Sequence, residues 1–244
     1  MRMLVFLGGK MKAKGYFSKF EISIWILSVV SITASFLIFD RESFLTLIAS
    51  ILGVTAILLN AKGNPIGQGL MVIFSVIYGI ISYGFAYYGE MATYLGMTLP
   101  MSVIALIAWL RNPFQGKKSQ VKVNKLSFKE VIFMIALTLG VSAGFYFILK
   151  YLGTANLIPS TLSVTTSFAA VYLTFRRSPY FSLLYAFNDI VLIVLWVLAA
   201  FYDTSYVSVI VCFMMFLIND LYAFISWLKM DKRQNLSSTK FDNT

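Results

Sequence analysis

Eight runs of continuously apolar residues, each about as long as a bilayer crossing, constrain this chain more than any other feature. They fall at approximately residues 21–39, 44–60, 66–88, 92–110, 131–152, 158–175, 180–202 and 206–228 of the 244-residue sequence. A helix needs about 20 apolar residues to cross the hydrocarbon core. Membrane β-strands alternate apolar and polar residues over about ten positions, and these runs do not. The breaks between them carry turn chemistry: Asp40-Arg41-Glu42, Lys62-Gly63-Asn64-Pro65, Gly89-Glu90 and Arg176-Arg177-Ser178-Pro179. The chain therefore reads as an all-α integral membrane protein of about eight transmembrane helices.

The placement of charge tests that count. Only 12% of residues are charged and the net charge is +10. On a soluble domain such a basic balance would point to nucleic acid. Here the basic residues stand at the ends of apolar runs, so the expected partner is the lipid bilayer and not nucleic acid. With eight spans, 18 of the 20 Lys and Arg residues fall on one side of the membrane, and only Arg41 and Lys150 on the other. Losing one span would scramble that alternation. The positive-inside rule then places both termini in the cytoplasm of a multi-pass protein of the cell (plasma or inner) membrane. The N-terminal run is preceded by Lys10, Lys12, Lys14 and Lys19 and carries no convincing small-residue cleavage site, so it reads as a span and not as a signal peptide.

Composition excludes several chemistries. There is no histidine and one cysteine, Cys212. A His/Cys zinc site, a His-based triad and an intramolecular disulfide are out of reach, and no phosphate-binding G-x-x-x-x-G-K-[ST] loop occurs. A membrane-embedded enzyme lacks its parts, and no cofactor or metal is expected. A substrate-binding subunit of an ATP-driven importer would need a coupling surface that the sequence does not display.

Spans two to four resemble spans six to eight. Asn64-Pro65 opens the third span and Ser178-Pro179 the seventh, an offset of 114; Trp109 closes the fourth and Trp227 the eighth, an offset of 118. A single span lies between the two units, so they share one orientation and form a parallel repeat about an axis along the membrane normal. The expected organisation is a cytoplasmic tail and extra N-terminal helix (1–43), a first three-helix bundle (44–111), a cytoplasmic loop and linker helix (112–157), a second bundle (158–230) and a mobile polar tail (231–244). Sites in such proteins lie near the midplane between the repeats.

Two acids fall well inside spans, Asp189 and Asp220, each preceded by an asparagine. An ionisable residue at membrane depth marks either function or an interhelical bond. Positions three and four apart share a helix face. Tyr185, Asn188, Asp189, Leu192 and Trp196 form one stripe, and Asn219, Tyr222 and Ser226 another. An aromatic ring beside an amide and a carboxylate suits a flat heterocycle with polar edges, more so if the ring is cationic. Tyr83, Tyr87, Tyr88, Trp109 and Trp227 lie near span ends and read as interfacial anchors.

Ala61-Lys62-Gly63, Tyr88-Gly89-Glu90, Leu99-Pro100-Met101, Trp109 and the stretch Phe216-Leu217-Ile218-Asn219-Asp220-Leu221-Tyr222-Ala223-Phe224-Ile225-Ser226-Trp227 resemble the PnuC family of nicotinamide riboside transporters. The resemblance runs from about Lys19 to Met230. It implies a fold related to the SWEET proteins, two three-helix bundles joined by a linker helix, and facilitated diffusion of a nucleoside-like vitamin precursor. The cargo is then trapped by a cytoplasmic kinase, a functional partner that need not bind. A second copy of the chain, in a homo-oligomer, is a further candidate partner. The resemblance implies that Asn219 contacts substrate. It also implies that Tyr185 and Asp189 replace a W-x-x-x-N pattern, and that Ser102 replaces a glutamine. These departures leave a thiamine or deoxynucleoside carrier as the alternative.

Overall fold

The computed structural model describes the backbone of residues 16–84, 88–154 and 156–241. Within it, eight helices are long and apolar enough to cross a membrane. Helix α1 (Lys19–Phe39) starts at a reciprocal cap: Glu21 N–H donates to Ser18 Oγ at 3.2 Å, and Ser18 N–H donates to the Glu21 carboxylate at 2.6 Å. It is followed by α2 (Phe44–Ala61) and α3 (Pro65–Gly84). The fourth span is composite: α4 (Tyr88–Thr93), a π-helical turn (Tyr94–Thr98) and α5 (Leu99–Leu110). Next come the linker α6 (Phe128–Tyr151), then α7 (Leu157–Phe175), α8 (Phe181–Ala200) and α9 (Val207–Phe241).

The C-termini of α2 and α7 are built alike. Gly63 (φ 68°) and Arg177 (φ 57°) both adopt the left-handed conformation. Asn64 N–H bonds Leu59 O at 3.1 Å and Ser178 N–H bonds Leu173 O at 3.0 Å, while Gly63 and Arg177 bond Asn60 and Thr174 at 2.8 and 2.9 Å. This is the turn that closes helices on a left-handed residue, with proline soon after. Every equivalent pair is separated by 114 positions. The two ends are then exchanged between the units. Trp109 of α5 donates its indole N–H to Thr174 O at 2.8 Å, and Trp227 of α9 donates to Asn60 O at 2.7 Å. The third helix of each unit thus packs on the first helix of the other, α9 on α2 and α5 on α7. Such reciprocity is consistent with a parallel repeat.

The two tryptophans overturn one expectation. They are fully buried, not interfacial anchors. Their rings lie 5.4 Å apart and Phe181 stands 4.9 Å from Trp227. Tyr83 is exposed as expected of an anchor; Tyr87 and the side chain of Tyr88 lie outside the described residues.

The loop after α5 also differs from the expectation. It forms a hairpin of β1 (Pro113–Phe114) and β2 (Lys117–Val121). Gln115 and Gly116 both take positive φ, as a tight two-residue hairpin turn requires. The segment straps the two units together at this end: Val121 N–H bonds Gly63 O at 2.9 Å and Asn124 N–H bonds Arg177 O at 3.1 Å. Nor is the chain after residue 230 a mobile tail, since α9 continues to Phe241. The reason is Gln234, buried against the strap, whose amide donates to Val121 O at 3.0 Å and accepts from Val123 N–H at 2.8 Å. The tail expected at the N-terminus, through residue 15, lies outside the described residues.

Helices α2 and α3 approach closely at Gly67. A Cβ there would stand 2.3 Å from Asn60 Oδ1 and 2.8 Å from Ala56 O. Backbone cannot yield as a flexible side chain can. Gly67→Ala is therefore expected to lower stability by about 1–3 kcal/mol, the usual cost of overpacking, measured as the thermal midpoint of the purified protein. An unchanged midpoint would show that the two helices separate freely.

Candidate functional site

A central chamber of about 60 Å³ lies between the two units. Helix α8 supplies Tyr185, Asn188 and Asp189, α9 supplies Asp220, α2 and α3 supply Asn60 and Gln68, and the fourth span supplies Tyr94 and Thr98. The fourth span can present those two side chains because of its π turn. Pro100 has no N–H and would clash with the carbonyl one turn earlier. The wider turn absorbs this, with Leu99 N–H reaching Tyr94 O. Such turns recur at functional positions.

Most of the polar lining is fixed from behind. Asn188 Oδ1 accepts from Ser163 Oγ at 3.1 Å and Thr166 Oγ1 at 2.9 Å, both on α7. That leaves the amide's NH₂ end to meet a ligand. Gln68 Nε2 donates to Asn60 Oδ1 at 2.9 Å, joining α3 to α2. Asp189 differs: it is 3% exposed, yet no donor among the described residues reaches its Oδ2. Its neighbour across the α8–α9 contact is the carboxyl of Asp220, itself buried. A buried oxygen without a donor, beside a second carboxyl, is a place for a ligand's donor or positive charge.

The chamber continues toward the end that carries few basic residues. A second space of about 40 Å³ shares Tyr94, Thr98, Asn188 and Leu192 with it. A third, of about 140 Å³, shares Tyr78, Glu90 and Trp196 with the second and carries Asp40 and Asp203 at its mouth. The backbone N–H of Ser205, 2.9 Å away, holds the Asp203 carboxyl below the usual carboxylate range, so the mouth stays charged. Among the described residues no Lys or Arg lines any of the three spaces. Ligand pockets usually enclose about 300–1,000 Å³, so admitting a nucleoside-sized molecule requires the units to part.

The sequence-derived residues are divided by this geometry. Tyr185, Asn188, Asp189 and Leu192 come together in the central chamber. Trp196, from the same stripe, lines the two outer spaces and packs on Tyr206 at 5.2 Å. Ser102 is buried on α5 but is not among the lining residues. Asn219 and Tyr222 face α1: Asn219 Nδ2 donates to Ser28 Oγ at 2.8 Å and to Met215 O at 2.7 Å, and Tyr222 OH donates to Glu21 Oε1 at 2.6 Å. Adjacent helical positions point about 100° apart, so with Asn219 turned to α1 it is Asp220 that meets the chamber. Asn60, Gln68, Tyr94 and Thr98 line the chamber beyond the residues to which the sequence points. Gln68, an amide inside an apolar run, was the available signal.

The chain matches the sequence profile described as nicotinamide mononucleotide transporter over residues 43–229. It is similar to a protein of Neisseria mucosa named nicotinamide riboside transporter PnuC, 27% identical over 91% of this chain and 85% of that one. A Haemophilus influenzae protein of the same name is 26% identical over 80% of this chain and 83% of that one. Among solved structures, the crystal structure of the vitamin B3 transporter PnuC superimposes with a TM-score of 0.78, covering 91% of this chain and 95% of that chain at 23% identity. The shared fold follows from that superposition.

Proposed function

The chain belongs to the nicotinamide mononucleotide transporter family, and from that premise we propose that this membrane transporter is a passive importer of nicotinamide riboside or a close nucleoside-like vitamin precursor. It is not an enzyme. The observation that carries the choice of cargo is the lining: two buried carboxyl groups and, among the described residues, no cation in the central chamber. Nicotinamide riboside has a permanently cationic ring, which acids and aromatic faces both favour. The corresponding mononucleotide adds a phosphate, for which the chamber offers no Lys or Arg among the described residues. In this reading Tyr185 stacks on the ring, Asn188 and Gln68 fix its edge or the sugar, and Asp189 and Asp220 receive the charge. Asn219 and Tyr222 tie α9 to α1, Trp196 lines the path outward, and Ser102 packs behind the chamber. Thiamine has a cationic ring as well, and an acid in place of the family's asparagine at Asp189 favours it as the second reading.

The test is thermal stabilisation of the purified protein, because a ligand that binds only the folded state raises its apparent stability. Nicotinamide riboside or thiamine is expected to stabilise, and an excess of the mononucleotide should not displace either from the central site. In liposomes without ATP the cargo should equilibrate down its own gradient. Accumulation driven by sodium or protons would refute the passive reading. Trapping inside then falls to a cytoplasmic kinase, and a homo-oligomeric assembly is compatible with the exposed apolar faces.

The 18 to 2 partition of basic residues supports a cell-membrane protein with both termini in the cytoplasm. The native Cys212 is buried and leaves the background low. A cysteine introduced in the 111–129 loop should resist a membrane-impermeant thiol reagent in intact cells, and one near Glu90 or Asp203 should react. The reverse pattern would overturn the orientation.

A further inference from the structure

At the basic end the surface holds a recess of about 410 Å³ unlike the three acidic spaces. Lys62 reaches it from the α2–α3 turn, Lys117 from β2, and Lys229 and Arg233 from α9. Ser119 and Gln120 of the hairpin, Tyr16, Met230 and Ser226, whose hydroxyl is taken up by Ala61 O, complete the lining, and no acidic side chain among the described residues is part of it. Lys62 is bonded to Glu21 at 2.9 Å, whereas Lys117, Lys229 and Arg233 have no acidic partner among the described residues.

Topology alone does not account for this. The positive-inside rule asks only for basic residues on one side. It does not ask three distant segments to aim them into one recess. Lys229 and Arg233, four apart, share a helix face where like charges cost stability. Several cations with hydroxyl and amide donors and no acid form an anion site, and a dianion in the recess would relieve the repulsion. The location favours a soluble anion over a lipid headgroup. Arg233 lies five residues beyond Leu228, about 7 Å further out along the helix, and the hairpin walls the recess.

We propose that this recess binds a phosphate monoester, namely the 5′-phosphate of the cargo nucleoside. Its phosphate would bridge Lys117 of the strap to Lys229 and Arg233 of α9, fasten the strap across the two units, and slow further import. The identity of the ester and its regulatory effect rest on the nucleoside reading above; the anion site itself does not.

The test uses the full chain in detergent and in nanodiscs of neutral lipid. Inorganic phosphate, a nucleoside 5′-monophosphate and the free nucleoside are titrated against wild type and a Lys117→Gln/Lys229→Gln/Arg233→Gln variant. All three side chains are exposed, so their loss leaves the fold intact. The monophosphate should bind wild type and bind the variant at least tenfold more weakly, while nucleoside affinity stays unchanged. Arg233→Lys should retain most of the binding. In liposomes, monophosphate on the basic side should slow nucleoside flux in wild type only. Equal monophosphate binding by both proteins would overturn the proposal. So would protection by phosphatidylglycerol nanodiscs with no response to soluble phosphates, which would assign the recess to lipid. Monophosphate binding without nucleoside binding would leave the site standing and remove the cargo reading instead.

Discussion

Trp227→Ala is expected to cost about 3 kcal/mol of stability, the lower part of the range for removing a buried aromatic. The lower part applies because the denatured chain in detergent still surrounds its apolar groups with apolar neighbours, so the transfer contribution shrinks while the cavity remains. Trp227 is fully buried, wedged between Trp109 and Phe181, and its indole N–H is the donor to Asn60 O. Truncation loses the packing and removes the indole donor from a terminal helical carbonyl, which keeps the Gly63 N–H of its own turn. Trp227→Phe keeps most of the ring and isolates the hydrogen bond, which should account for about 1 kcal/mol. Trp109→Ala should act similarly through Thr174 O. The double variant should lose less than the sum, because the two rings contact each other. Denaturation midpoints of these four variants and of the wild type decide it. Strict additivity would mean that the pair is not one packed unit.

The same tryptophans show where sequence reading stops. Hydropathy located the spans because a bilayer demands long apolar runs, and the paired Asn64-Pro65 and Ser178-Pro179 turns exposed the internal likeness. Which apolar surface faces lipid and which faces another helix is a different matter. Both environments are apolar, so a tryptophan at a span end has the same signature in either. The structure decides by exchange: each indole meets a carbonyl that ends a helix of the other unit. Gln234 was illegible for a related reason. Its value lies in two bonds to a strap 111–113 residues away, and a polar residue beyond the last span looks like tail.

The chamber was half legible. Asp189 announced itself as an acid at membrane depth, and the three-and-four spacing correctly grouped it with Tyr185, Asn188 and Leu192. On α9 the same rule picked a face but not its direction. Asn219, Tyr222 and Ser226 do lie on one side, and that side is covered by α1 and the end of α2. Nothing in a single helix says which side its neighbours occupy. The contributions of α2, α3 and the π turn arise only once the units are placed face to face.

Asp189→Asn should separate charge from shape at the centre of the chamber. The amide keeps the volume and can still accept a hydrogen bond, but it removes the charge. If the carboxyl receives a cationic ring, affinity for nicotinamide riboside should fall by about 1–3 kcal/mol, the range for hydrogen bonds to charged groups. An uncharged nucleoside of similar shape should be affected much less. Asp220→Asn tests whether the neighbouring acid shares the task. Because the two carboxyls interact, the double variant is expected to depart from additivity by more than about 0.5 kcal/mol. Alternatively Asp189 serves only to join helices. Its contact with the Asp220 carboxyl would serve that role, while its Oδ2 finds no donor among the described residues; a joining role would lower the thermal midpoint and leave the ratio of the two affinities unchanged. Equal, small losses for both ligands would therefore sink the charge argument. Strong binding of the uncharged nucleoside alone, in both proteins, would make Asp189 a hydrogen-bond acceptor and not a counter-ion, and would move the cargo to the deoxynucleoside branch.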